Sequence, residues 1–231
     1  KDHRICEQCK RPSCLHPTVC KNLNTNHSHL LDLYNQVRRD NRVKHYFVGS
    51  GIRYDLSMHR TGNKEIDAIN REYLETVIKH HVSGRFKVAP EHSSDNVLHL
   101  MRKPSFKLFR ELTARFNAIN NKEHLKQQII PYFISSHPGC SLEDMADLAI
   151  NTKELDFKLE QVQDFTPTPM TLATDMYYSG FHPYSLRKIQ SAKTETEKKR
   201  QNIFFFWYKR ECKSEIIGIL TKLKRMDLVK R

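Results

Sequence analysis

No stretch of this sequence is apolar for long enough to cross a bilayer. The longest run, Phe204–Phe205–Phe206–Trp207–Tyr208, falls far short of the ~20 residues a spanning helix needs, so no membrane association is expected. A secretory signal is also missing. The chain opens at Lys1 rather than Met, and reads as a fragment that has lost sequence upstream. Acidic residues are outnumbered, 26 Asp+Glu against 39 Lys+Arg, for a net charge of +13. That balance describes either a soluble basic surface or one that attracts a polyanion such as RNA or a phosphate-bearing substrate. Cysteine is scarce beyond the start: four of the six lie within the first 20 residues, and Cys140 and Cys212 stand alone as ordinary small residues. A disulfide scaffold would spread its cysteines through a shorter chain. The local cluster points instead to a reducing compartment and to metal.

The 38% of apolar residues suffices for a core, and its pattern alternates between two periods. Helical spacing appears at His29–Asp40, 65–82, Ser93–Met101 and Phe106–Ile119. Strand-like runs appear at Tyr46–Val48, Phe86–Ala89, Ile129–Ile134 and Gln161–Phe165. Pro131 is awkward inside a strand, because it donates nothing to a ladder; a place at the strand's start would suit it. Ser141, with Asp144 three residues on, predicts a capped helix. Strands recurring about every 40 residues with helices between them predict βα units on a parallel sheet. From Thr166 the pattern weakens. Residues 166–190 show little helical period, Thr194 and Glu197 form a capping box, and an amphipathic helix carries Ile216, Ile217, Leu220 and Leu223. The expected division is a Cys-rich loop over 1–25, an α/β body over 26–165 and a small, mostly helical module over 166–231.

Long, irregular motifs then match one family in order and spacing. They are Cys14-Leu-His-Pro-Thr-Val-Cys20, Gly49-Ser-Gly-Ile-Arg-Tyr-Asp-Leu56, Phe86-Lys-Val-Ala-Pro-Glu-His92, Pro131-Tyr-Phe-Ile-Ser-Ser-His-Pro-Gly139 and Gln161-Val-Gln-Asp-Phe-Thr-Pro-Thr-Pro-Met170. Met176-Tyr-Tyr-Ser-Gly180, Ala192-Lys-Thr194 and Glu197-Lys-Lys-Arg-Gln201 extend the match into the tail. Over nearly its whole length the chain resembles the carboxyl-terminal half of YgiQ-type radical-SAM proteins. The resemblance implies the second part of a partial (β/α)6 barrel, about four parallel strands with helices, that binds S-adenosylmethionine. It also implies a [4Fe–4S] cluster, an electron donor for it, and a 5′-deoxyadenosyl radical acting on an unknown substrate. The family's Cys-x3-Cys-x2-Cys loop does not occur here, so the cluster ligands would lie upstream and this fragment alone would be inactive. Oxygen-sensitive chemistry of this kind, with no export signal, suggests a cytoplasmic location.

Function in such folds gathers at the carboxyl ends of the strands. Ser50 and Arg53, Glu91 and His92, and Ser135, Ser136 and His137 occupy those tips and are the candidate cofactor contacts. A carboxylate at 91 accepts from ribose hydroxyls or an ammonium; the competing use is a salt bridge. Arg53 could clasp a carboxylate bidentately or pair with Asp55 on the surface. Ser135 to His137 run into Pro138–Gly139, which could turn the chain into a helix aimed at the tip or serve as a plain turn. Phe165 to Met170 could wall the adenine or pack in the core. The run at 204–208 could stack bases or dock a helix. Cys6, Cys9, Cys14 and Cys20, spaced Cys-x2-Cys-x4-Cys-x5-Cys, could wrap a metal or an auxiliary iron-sulfur cluster, or stay a reduced loop. The alternative to a radical-SAM part is a basic, metal-bearing module that binds RNA.

Overall fold

The computed structural model describes residues 2–230. By contact the chain forms two compact units, Lys1–Val88 with Lys107–Ile130, and Ala89–Phe106 with Pro131–Arg231. Its helices are α1 His3–Glu7, α2 Ser28–Arg39, α3 Tyr54–Ser57, α4 Lys64–His80, α5 Asp95–Leu100, α6 Phe106–Lys122, α7 Leu142–Glu154, α8 Leu172–Ser179, α9 Glu195–Asn202 and α10 Lys213–Lys222. Three strands, β1 Arg85–Glu91, β2 Gln128–Ser135 and β3 Gln161–Asp164, form a parallel sheet in the order β1-β2-β3. The fold is thus mixed α/β, in keeping with part of an α/β barrel and a helical tail.

Tyr46–Val48, expected as a strand, forms none. Its polar backbone groups are met by the end of α4 instead of by a ladder: Val48 N–H donates to His81 O at 2.8 Å, and His81 Nδ1 bonds Tyr46 O at 3.0 Å. The Tyr46 ring packs edge-on against Tyr34 and His81. Pro131 is the fourth residue of β2 rather than its first, but the pairing with β3 begins one residue later, at Tyr132 opposite Gln161.

In the first unit, α4 opens where Asn63 accepts from the N–H groups of Glu65 and Ile66. It buries Tyr73, Leu74, Val77 and Ile78. Phe86 on β1 stacks on Phe116 of α6 at 5.5 Å between centroids. In the second unit, α7 and α9 both begin with reciprocal capping boxes, Ser141 with Asp144 and Thr194 with Glu197. Replacing Ser141 by Ala is expected to cost about 1 kcal/mol, read as a lower urea midpoint. A midpoint equal to wild type would mean that the cap contributes nothing. The aromatic run docks inward. Phe204 and Phe205 are buried, Trp207 Nε1 donates to Thr152 Oγ1 at 3.1 Å, and Tyr208 donates to Leu159 O at 3.2 Å. Helix α8 lies within the stretch that looked irregular. It is capped by the Thr171 side chain and stopped by Gly180 at φ 74°, a left-handed position natural to glycine.

Candidate functional site

β1 ends at Glu91 and β2 at Ser135. At each tip the chain enters left-handed backbone on a residue other than glycine, Glu91 at φ 67° and Ser136 at φ 61°. Such positions cost roughly 1–3 kcal/mol each and persist only where neighbours hold them. At Ser136 the holding group is Gln201 of α9, itself 5% exposed. Its Oε1 accepts Ser136 N–H at 2.8 Å while its Nε2 donates to Cys140 O at 2.9 Å. Next to it, Asn202 Nδ2 donates to Asp164 Oδ1 at 3.0 Å, and the Ser135 hydroxyl donates to that same oxygen. Phe165 N–H continues the pattern onto Ser135 O at 2.8 Å.

Beyond Ser136 the turn tightens. Cys140 N–H returns to His137 O at 2.8 Å, and Gly139, at φ 84°, donates to Gln190 O at 2.7 Å. A Cβ at Gly139 would lie 2.3 Å from Leu100 Cδ1, so both conformation and space call for glycine here. The N-terminus of α7 is closed by its own capping box. Its Asp144 N–H is taken by Ser141 Oγ, and the Asp144 carboxylate closes back on Ser141.

Both histidines at the tips are buried and neutral. Ser94 N–H donates to His92 Nδ1 at 3.0 Å, so the ring's proton is assigned to Nε2, which faces Cys140 Sγ at 3.5 Å. Burial, then the charge of Asp144 acting in the opposite sense, then His137, together bring His92 down to about 4. His137 Nδ1 donates to Pro138 O at 2.9 Å, its ring stands edge-on to Phe165, and burial brings it to about 4 as well. Burial pushes the Cys140 thiol up, with Asp144 adding to the effect. Cys140 therefore meets His92 as a neutral thiol against a neutral imidazole, which is not the thiolate pair of a reactive cysteine.

Three buried oxygens at these tips lack a hydrogen-bond partner among the described residues: Glu91 Oε2, Ser93 Oγ and Ser136 Oγ. The other carboxylate oxygen of Glu91, Oε1, is bridged by Lys103 Nζ at 3.1 Å. Unsatisfied buried polar atoms are uncommon in folded chains and call for a reason. The structure thus brings Glu91, His92, Ser135, Ser136 and His137 together. It adds Ser93, Lys103, Asp164 and Gln201, which sequence reasoning passed over. Ser93 and Lys103 adjoin the β1 motif; Asp164 and Gln201 lie inside motifs that carry the resemblance, but no local pattern marks Gln201 as a contact of the β2 tip.

The remaining candidates lie in the other unit. Ser50 is exposed. Arg53 forks onto Asp55, Nε to Oδ1 at 2.9 Å and Nη2 to Oδ2 at 2.5 Å. With the Arg53 side chain 49% exposed, such a pair contributes little to stability. Cys6, Cys9, Cys14 and Cys20 are free thiols. Their loop is shaped by other bonds: Asn22 Nδ2 to Cys6 Sγ at 3.1 Å, Cys9 N–H to Cys6 O at 3.1 Å and Cys20 N–H to Cys14 O at 2.7 Å. Among the described residues no three Cys, His, Asp or Glu side chains gather where they could hold a metal ion. No helix of the described residues is long and apolar enough to cross a membrane.

Residues 160–211 match the family described as a domain of unknown function, DUF3362. The chain is 58% identical over 228 residues to a UPF0313 protein of Porphyromonas gingivalis, covering 99% of this chain and 36% of that one. It is 56% identical over 229 residues to a UPF0313 protein of Bacteroides thetaiotaomicron, covering 99% and 37%. To a UPF0313 protein of Methanocella arvoryzae it is 40% identical over 221 residues, covering 96% and 35%. It spans little more than a third of the length of these curated relatives. Identity this high, sustained along nearly the whole chain, means that the chain belongs to the UPF0313, or YgiQ, family.

Proposed function

We infer that the chain is part of a radical-SAM enzyme and that the adjoining tips of β1 and β2 hold S-adenosylmethionine there. The observation that carries this reading is the coincidence of two strained residues, Glu91 and Ser136, with three buried and unpartnered oxygens on neighbouring strand ends. The motifs around them are those by which the sequence resembles radical-SAM proteins. S-adenosylmethionine offers an ammonium and two ribose hydroxyls, which are donors for Glu91 Oε2. The hydroxyls of Ser93 and Ser136 can give or take a bond with its polar groups. Lys103 orients the Glu91 carboxylate from its far side. The neutral imidazoles of His92 and His137 add no further cation to the tip to repel the sulfonium. When bound, a reduced [4Fe–4S] cluster and S-adenosylmethionine together supply methionine and a 5′-deoxyadenosyl radical. The six cysteines of this chain include no Cys-x3-Cys-x2-Cys, so no residue here is assigned to the cluster. The RNA-binding alternative draws no support from the run at 204–208, whose Phe204 and Phe205 are buried.

The test uses the full-length protein, purified without oxygen and reconstituted with iron and sulfide. Wild type is expected to bind S-adenosylmethionine and, once reduced, to release 5′-deoxyadenosine. Glu91→Gln is expected to weaken that binding about tenfold, the worth of one charge-assisted bond near 1.4 kcal/mol. Absence of binding by the wild type, or unchanged affinity in the variant, would sink the assignment.

A further inference from the structure

A cavity of about 240 Å³ lies in the amino-terminal unit and is lined by none of the candidate residues above. Ser57 lines it from the end of α3, His59 and Arg60 from the turn that follows, Asp67 and Arg71 from α4, and Arg115 from α6. Its one carboxylate is already engaged. Asp67 Oδ1 accepts both the N–H of Thr61, at 2.8 Å, and its hydroxyl, at 2.7 Å. These bonds, foremost the one from the Thr61 backbone, hold Asp67 below the usual carboxylate range. Asp67 therefore stays ionised and pins the loop that carries Arg60.

Three guanidinium groups line the same cavity. Arg115 has a partner in Glu111, one turn earlier on α6, at 2.6 Å. Neither Arg60 nor Arg71 donates a hydrogen bond within the described residues; Arg71 is engaged only through the charge of Asp67. Like charges brought to one small cavity repel, and an anion there relieves the repulsion while using donors that are otherwise left to water. Arginine's planar fork suits phosphate oxygens above other anions. The size of the cavity suits a single phosphate group rather than a bulky ligand.

We propose that this cavity is a binding site for a phosphate dianion, either free or as the terminal group of a small phosphate monoester, held by Arg60, Arg71 and Arg115. The proposal is independent of the S-adenosylmethionine reading, because it concerns different residues in a different unit.

Calorimetric titration of the full-length protein at low salt, with inorganic phosphate and separately with adenosine monophosphate, tests it. Phosphate is expected to bind at one site. The double variant Arg60→Gln/Arg71→Gln is expected to lose about tenfold or more in affinity, with its circular dichroism unchanged. Arg39→Gln, which removes one charge from the exposed end of α2, is expected to bind as wild type does. Competition by the nucleotide would identify the monoester as a ligand; binding of phosphate alone would identify the free ion. The proposal is overturned if phosphate does not bind, if the double variant binds as tightly as wild type, or if Arg39→Gln loses as much as the double variant.

Discussion

Acidification from pH 6.5 to pH 4 is expected to cost the carboxyl-terminal unit several kcal/mol of stability. The cause is the pair of buried imidazoles, His92 and His137. Both are held near 4 in the folded chain, against an ordinary 6.5, chiefly because burial penalises the charged ring. As the pH falls through 6.5 the unfolded chain takes up both protons, while the folded chain does so only near 4. The unfolded state binds more protons throughout that window, so stability is full above it and declines as the pH drops. A depression of this size is worth roughly 3 kcal/mol per group. The two rings sense one another, so their sum is not simply additive. Carboxylates whose values lie below the usual range, such as Asp67 and Glu197, add their own loss only at lower pH. Urea midpoints measured from pH 7 down to pH 4.5 check this. Wild type is expected to weaken steeply, and a His92→Asn/His137→Asn variant to give a flatter profile. Equal slopes in the two proteins would show that these histidines are not buried and neutral.

Replacing Gln201 by Leu is expected to be nearly as damaging. The leucine would fill a similar volume but would leave Ser136 N–H and Cys140 O without the partners that Gln201 supplies. Each buried backbone group stranded in this way costs about 1–3 kcal/mol, so the variant is expected to lose roughly 2–5 kcal/mol. Ser136 would also lose the bond that steadies its left-handed backbone. Gln201→Glu separates the two contacts, because a carboxylate still accepts from Ser136 but donates nothing to Cys140. It is expected to fall between wild type and Gln201→Leu in urea unfolding. If Gln201→Leu unfolds at the wild-type midpoint, α9 does not hold the β2 tip.

What could be read in advance follows the distance over which each feature is decided. Ser141 with Asp144 and Thr194 with Glu197 are complete within four residues, and both formed the expected caps. β1 and β2 were legible as short apolar runs because buried parallel strands need little else, whereas β3, Gln161–Asp164, is mostly polar and only partly buried. Tyr46–Val48 had the same look, yet its hydrogen bonds go to His81, 35 residues away from Tyr46, and no local pattern records that choice. Helix α8 carried its own signals in Thr171 and Gly180. Pro167, Pro169 and Pro183 pointed to irregular chain, but all three fall outside the helix. At the site, the tips were legible by their position after strands, and Glu91 by its charge. Gln201 was not, because it sits in a polar helix 65 residues from Ser136. The neutrality of His92 and His137 was hidden as well, being a property of what surrounds them.

The span that matches the domain of unknown function starts at residue 160, one position before β3. That segment therefore supplies the sheet's last strand, along with the Gln201 and Asn202 contacts that fix the tips beside it. A lineage that shed it would bare the paired edge of Tyr132–Ser135 and invite intermolecular pairing there. The segment and the strand ends before it accordingly lie in one compact unit, whatever boundary a comparison of sequences draws between them.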